Sequence, residues 1–107
     1  MTKFYLIKRS IKFFFQRRFR GWDDSETWSL DYEFYKWLLP RLKKFCELTC
    51  AYPGNDKYPT LESWQKEIKK RCKQLELLIK DDWKCYDDGT YADFHRWFAE
   101  ECGWLWW

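Results

Sequence analysis

The stretch Arg20–Phe45, RGWDDSETWSLDYEFYKWLLPRLKKF, decides the fold. Gly21 breaks the helical pattern before it, because glycine enters the left-handed backbone region at little cost. Asp23 or Asp24 then starts a new helix, its short carboxylate accepting from the first free backbone N–H groups. Glu26, three residues after Asp23, completes a pattern resembling a capping box. Ser29 offers a second start, with Asp31 and Glu33 favourably placed in the first turn. From there Leu30, Phe34, Trp37, Leu38, Leu42, Phe45 and Leu48 recur at helical spacing. Pro40 removes one backbone donor and predicts a kink near Lys36 and Trp37. Trp22, Trp28 and Trp37 read first as core and staple residues, and second as the lining of a partner surface.

Upstream, residues 3–20 predict a helix. Phe4, Ile7, Ile11, Phe14, Phe15 and Phe19 recur every three or four residues, opposite Lys8, Arg9, Lys12, Gln16 and Arg17. The expected place of that stripe is the core, with a membrane-surface helix or a nucleic-acid arm as the alternatives. Residues 1–20 carry seven basic side chains and no acid. The remaining chain carries thirteen basic and seventeen acidic residues, a balance of −4, so a basic arm precedes a mildly acidic body. Such an arm attracts nucleic acid, anionic lipid or an acidic protein face.

Downstream, residues 49–59 read as a loop with turn chemistry at Pro53-Gly54-Asn55-Asp56. Thr60 caps a helix over 61–80, whose apolar stripe is Leu61, Trp64, Ile68, Cys72, Leu75, Leu78 and Ile79. Lys69-Lys70-Arg71 reads as part of its solvated face. Residues 81–89, DDWKCYDDG, read as an acidic connection without the spacing of a calcium loop. Thr90 is expected to cap a last helix with Tyr91, Phe94, Trp97, Phe98 and Cys102 on its apolar face. The expectation is therefore an all-α single domain of 107 residues. It is a small bundle of about four helices, over 3–20, 24–50 (kinked at Pro40), 61–80 and 91–102. Aromatic residues make up 23% of the chain, more than so short a bundle needs for its core. Trp104, Trp106 and Trp107 crowd the end, and need cover from the fold, a second copy or a partner.

The run RGWDDSETWSLD, the following PRL, Tyr52-Pro53, and Pro59-Thr60-Leu61-Glu62-Ser63-Trp64-Gln65 resemble small uncharacterised proteins of phages and prophages of Firmicutes. These share an RGW–acidic–TW–LD run, a helix ending in PRL and a YP turn before a T-x-E-x-W helix. The resemblance covers about residues 20–80. It implies a viral or mobile-element origin and carries no known activity.

The residues expected to carry chemistry are few. His95 is the sole histidine and reads as structural, with a Cys–His nucleophile pair involving Cys102 or Cys85 as the alternative. The five cysteines, Cys46, Cys50, Cys72, Cys85 and Cys102, include no C-x-x-C pair. They are expected to be free thiols, mostly buried, in a reducing compartment. Cys46 and Cys50 with His95 and Cys102 would make a tetrahedral zinc set, but their spacing follows no zinc module. The reading is therefore no enzyme, no metal and no cofactor. No secretory leader or membrane span is evident in the sequence.

The leading functional expectation is a phage interaction protein acting in the bacterial cytoplasm. It binds and inhibits a host protein or ribonucleoprotein complex, most sharply as an anti-CRISPR or other anti-defence inhibitor. The expected contact residues are Arg17, Arg18, Arg20, Trp22, Trp28, Trp104, Trp106 and Trp107, the residue types that dominate interface energetics. Nucleic-acid binding through the basic first helix is the runner-up. A homo-oligomer is a further option, and a membrane surface the least favoured partner.

Overall fold

The computed structural model describes residues 3–106. Among them are five α-helices and no strand: α1 (Lys3–Arg20), α2 (Leu30–Leu48), α3 (Leu61–Lys80), α4 (Asp82–Asp88) and α5 (Thr90–Glu101). Short 3₁₀ turns occupy Asp24–Thr27 and Cys102–Trp104. The chain divides into two compact units, one ending at Glu33 and one beginning at Phe34.

In the first unit, α1 ends at Gly21, whose φ of 86° is the left-handed conformation of a helix stop. Asp23 then adopts an extended backbone and caps the following 3₁₀ turn in a full capping box with Glu26. The long helix begins later, at Leu30, after the backbone oxygen of Ser29 accepts from Glu33. The two possible helix starts in this stretch are both used: the first opens one tight turn, the second the helix proper. No residue of α1 is buried. The Phe/Ile stripe expected in the core stands exposed instead.

In the second unit, the core is built by α2, α3, α4 and α5. α2 runs without a break through Pro40. It buries Tyr35, Leu38, Leu42 and Cys46, with Phe34, Leu39 and Phe45 half-covered. That face is rotated from the expected stripe: Leu30, Trp37 and Leu48 lie outside it and are exposed. Tyr35 replaces them because its ring packs edge-on to Phe94 while its hydroxyl meets His95, so an amphipathic side chain is satisfied at both ends.

α3 supplies the centre. Thr60 caps it, its hydroxyl accepting from the N–H of Ser63 while the Ser63 hydroxyl accepts from the N–H of Thr60. Trp64, Ile68, Leu75 and Leu78 are almost wholly enclosed. Tyr58, from the preceding loop, packs edge-on to Trp64 with ring centres 4.9 Å apart. That loop turns at Gly54 with φ 70°, and Asn55 Oδ1 accepts from the N–H of Tyr58.

Arg71 corrects the reading of Lys69-Lys70-Arg71 as a solvated run. It is buried among α3 and α5, donating to Glu67, Gln74 and Asp93, with its guanidinium 5.3 Å from the Trp97 ring centre. Arg71 follows Ile68 by three residues and precedes Leu75 by four, so it belongs to the apolar stripe by angle.

The acidic connection is likewise corrected. Residues Asp82–Asp88 form α4, capped by Asp81, whose side chain accepts from Lys84 N, and closed by Gly89 at φ 85°. Cys85 is its buried residue. Gly89 also stands at the start of α5, so Thr90 is the first helical residue rather than the cap. Phe94 and Trp97 are the buried apolar residues of α5, whereas Cys102, expected on that face, is exposed.

Candidate interaction surface

The basic and aromatic side chains singled out by the sequence fall into three groups. The first clamps the turn after α1. Arg17 pairs with Asp23, Arg20 Nη2 lies 2.8 Å from Asp24 Oδ1, and Lys12 Nζ lies 3.3 Å from Asp24 Oδ2. Gln16 Oε1 accepts from the backbone N–H of Asp24 at 2.7 Å. Residues 12, 16, 17 and 20 share one flank of α1, which is why one turn can bind all four. These contacts hold both carboxyls below the usual range. Asp24 is lowered to about 2, by hydrogen bonding with Gln16 first and then with Arg20 and Lys12. Asp23 is lowered first by the Ser25 hydroxyl, which donates to it. Arg17 and Arg20 are thus engaged within the chain. Arg18 takes no part in this clamp and is exposed.

The second group is a set of tryptophans lying under arginines. The Arg20 guanidinium carbon sits 3.7 Å from the Trp22 ring centre, and Arg20 Nε donates to the Trp22 carbonyl. Arg9 lies 5.5 Å from the Trp28 ring centre, and Phe13 meets Trp28 edge-on at 5.8 Å. In α2, Arg41 lies 4.5 Å from the Trp37 ring centre and donates to the Trp37 carbonyl at 2.8 Å. All three indoles remain exposed, Trp28 at 67%. An open groove on the first unit is lined by Tyr5, Lys8, Arg9, Lys12, Phe13, Asp24 and Trp28.

The third group is the chain end. Trp104 and Trp106 are exposed, so the fold does not enclose them; Trp107 lies outside the described residues. Trp83, on α4, is also exposed and was not singled out by the sequence reading. Trp37 and Arg41 were legible as an arginine one helical turn after a tryptophan, the spacing that brings the two side chains together.

The residues with chemical potential lie apart from these. Tyr35 Oη and His95 Nε2 are 2.7 Å apart, and the His95 ring packs 4.3 Å from that of Tyr91. Cys46, Cys72 and Cys85 are buried, and burial pushes all three thiols up, Cys72 to about 11. Such thiols carry little thiolate at neutral pH and are poor nucleophiles. Cys50 and Cys102 are exposed. Among the described residues no group of three or more His, Cys, Asp or Glu side chains is arranged to hold a metal ion. No helix among them is long and apolar enough to cross a membrane.

Comparison with protein families, curated proteins and solved structures finds no match to this chain.

Proposed function

We propose that this chain is a non-enzymatic interaction protein of phage or mobile-element origin, which binds and inhibits a host macromolecule in the bacterial cytoplasm. Its sharpest form is an inhibitor of a bacterial immune effector of the CRISPR kind. The observation that carries the reading is the set of exposed tryptophans under arginines: Trp22 with Arg20, Trp28 with Arg9 and Trp37 with Arg41. Indole and guanidinium groups are the commonest energetic anchors of protein interfaces. Stacking fixes the side-chain rotamers beforehand, which lowers the entropy lost when a partner arrives. The phage origin rests on the sequence resemblance alone.

The test is affinity capture from a bacterial host lysate, with and without nuclease treatment, followed by the Trp28→Ala and Trp37→Ala variants. Retention of one host protein after nuclease, with loss of about 2 kcal/mol or more of affinity in a variant, supports the reading. Identical capture by wild type and both variants rejects it. Loss of cleavage by a candidate nuclease on mixing tests the sharper form.

A second reading is favoured by one feature. In the groove of the first unit, Lys8 and Arg9 stand beside Tyr5, Phe13 and Trp28 and pair with no acid among the described residues, a combination that suits phosphate contact with base stacking. Capture that disappears with nuclease, and a gel shift that weakens steeply with salt, would transfer the function to nucleic acid. Lys8 and Arg9 are the residues to replace there. Removing Arg17 and Arg20 would also release the turn they clamp.

A further inference from the structure

Within the first unit the Phe/Ile face of α1 has no cover. Phe4, Ile7, Ile11, Phe14, Phe15 and Phe19 are all at least half exposed, from 50% at Ile7 to 80% at Phe19. The polar flank is fixed from the other side, where Lys12, Gln16, Arg17 and Arg20 hold the Asp23-Asp24 turn. The turn therefore faces the apolar stripe away from itself along the whole helix, about 27 Å for eighteen residues. α1 contains no acidic residue. Lys3 lies at one margin of the stripe, while Lys8 and Arg18 fall within it, four residues after Phe4 and Phe14; none of the three pairs with an acid among the described residues, and their long stems can lie along apolar surface with the charge outward.

We propose that this face of α1 docks on an anionic phospholipid surface, with the phenyl and isoleucyl groups at the acyl boundary and the ammonium and guanidinium groups of Lys3, Lys8 and Arg18 reaching up among the headgroups. A Phe-rich face, long-stemmed cations beside it and a length too polar to span a bilayer are the features of a helix lying in the interfacial plane. Charge decides against a second copy as the occupant. Two α1 faces pressed together would bring Lys3, Lys8 and Arg18 of each helix near their counterparts, with no acid in either helix to offset them. Charge also favours lipid headgroups, since each cation near an anionic leaflet adds attraction. This surface is distinct from the Trp–Arg pairs, so either can fail without the other.

The experiment is co-sedimentation of the full chain with vesicles of phosphatidylcholine mixed with phosphatidylglycerol, and with vesicles of phosphatidylcholine alone. Binding to the mixed vesicles and weak binding to the neutral ones is expected. Phe14→Ser and Phe15→Ser should each lower the partition coefficient about tenfold or more, because each withdraws one phenyl group from the apolar phase. Helix content and melting should stay unchanged, as both side chains are exposed. Phe4→Ser, in the first turn and more exposed still, gives the same reading should either variant lose helicity. Lys3→Glu with Lys8→Glu should lower binding to the mixed vesicles alone. Three results would overturn the proposal. One is no sedimentation with mixed vesicles at low salt. Another is binding lost with the lysine changes but untouched by all three phenylalanine changes, which is the behaviour of a purely electrostatic, nucleic-acid-like contact. The third is a stable dimer in solution that Phe14→Ser dissociates.

Discussion

Replacing Arg71 by methionine removes the cation that ties α3 to α5 while keeping an unbranched chain of similar reach. The change deletes donation from Nε to Glu67 at 2.9 Å and from Nη1 to Gln74 at 2.9 Å and Asp93 at 2.7 Å. It also removes the guanidinium from the face of Trp97. Hydrogen bonds involving a charged group contribute about 1.5–3 kcal/mol each when desolvated. Glu67 and Asp93 are 20% and 36% exposed at the side chain, so water can partly replace the lost donors. Methionine also recovers some packing against Trp97. The net loss should be about 2–3 kcal/mol, below the 3–5 kcal/mol typical of a fully buried pair broken on one side. For a unit of this size that lowers the melting temperature by about 8–20 °C. Urea unfolding followed by tryptophan fluorescence measures it directly.

The same variant makes a second, signed statement about pH. The Asp93 carboxyl is lowered from 3.8 to about 2, by hydrogen bonding to Gln74 first and then to Arg71. A carboxyl depressed in the folded state adds stability that is complete above its unfolded pKa and is lost as pH falls toward the folded one. Wild type should therefore lose about 1 kcal/mol between pH 4 and pH 2 from this group, after allowance for solvent screening. In Arg71→Met the donors left to Asp93 are Gln74 and the exposed Arg96, so the acid limb should be shallower. An Arg71→Met protein as stable as wild type at neutral pH, with an unchanged acid limb, would mean that the buried arginine holds nothing together.

Three further outcomes follow from single positions. Gly89→Ala should cost about 1 kcal/mol, since alanine is strained at φ 85° even though space is open around it, and Gly89→Asn should cost less; equal melting of all three would refute the left-handed junction. Asp23→Ala should speed amide exchange at Ser25, whose N–H the carboxylate accepts at 2.8 Å, and unchanged exchange would show the cap to be idle. Of the five thiols, Cys50 and Cys102 should react quickly with a disulfide reagent near pH 8, and Cys46, Cys72 and Cys85 only on unfolding, an ordering that mass spectrometry of the labelled chain checks.

The helices were legible where a stripe ran for several turns and a cap stood at its start. α3 is the clearest case, with Thr60 before it and Trp64, Ile68, Cys72, Leu75 and Leu78 inside it. α4 was hidden because seven residues are too few for a period to show, although its Asp81 cap and Gly89 stop were both visible. Arg71 reads as solvated because it follows two lysines along the chain, whereas burial follows the angle around the helix. The same rule of spacing puts Arg20 four residues before Asp24, with which it pairs. α1 shows a different limit. Its period identified the apolar side correctly, but a period says nothing of what covers that side.

The aromatic excess is divided in a way that links the two proposed surfaces. Trp64 and Trp97 are buried, while Trp22, Trp28, Trp37, Trp83, Trp104 and Trp106 are exposed. A core fed by α2 to α5 has room for Tyr35, Tyr58, Phe94 and two indoles, so further rings there would overpack it. Outside, an indole under a guanidinium keeps part of its face from water and holds one rotamer, which leaves it ordered for a partner that brings shape and hydrogen bonds. Phe4, Phe14, Phe15 and Phe19 of α1 have no guanidinium over them among the described contacts. An unshielded run of rings on a cationic helix gains most from a surface that is apolar, deformable and negatively charged. The two kinds of exposed ring therefore call for different occupants, and loss of one contact should leave the other intact.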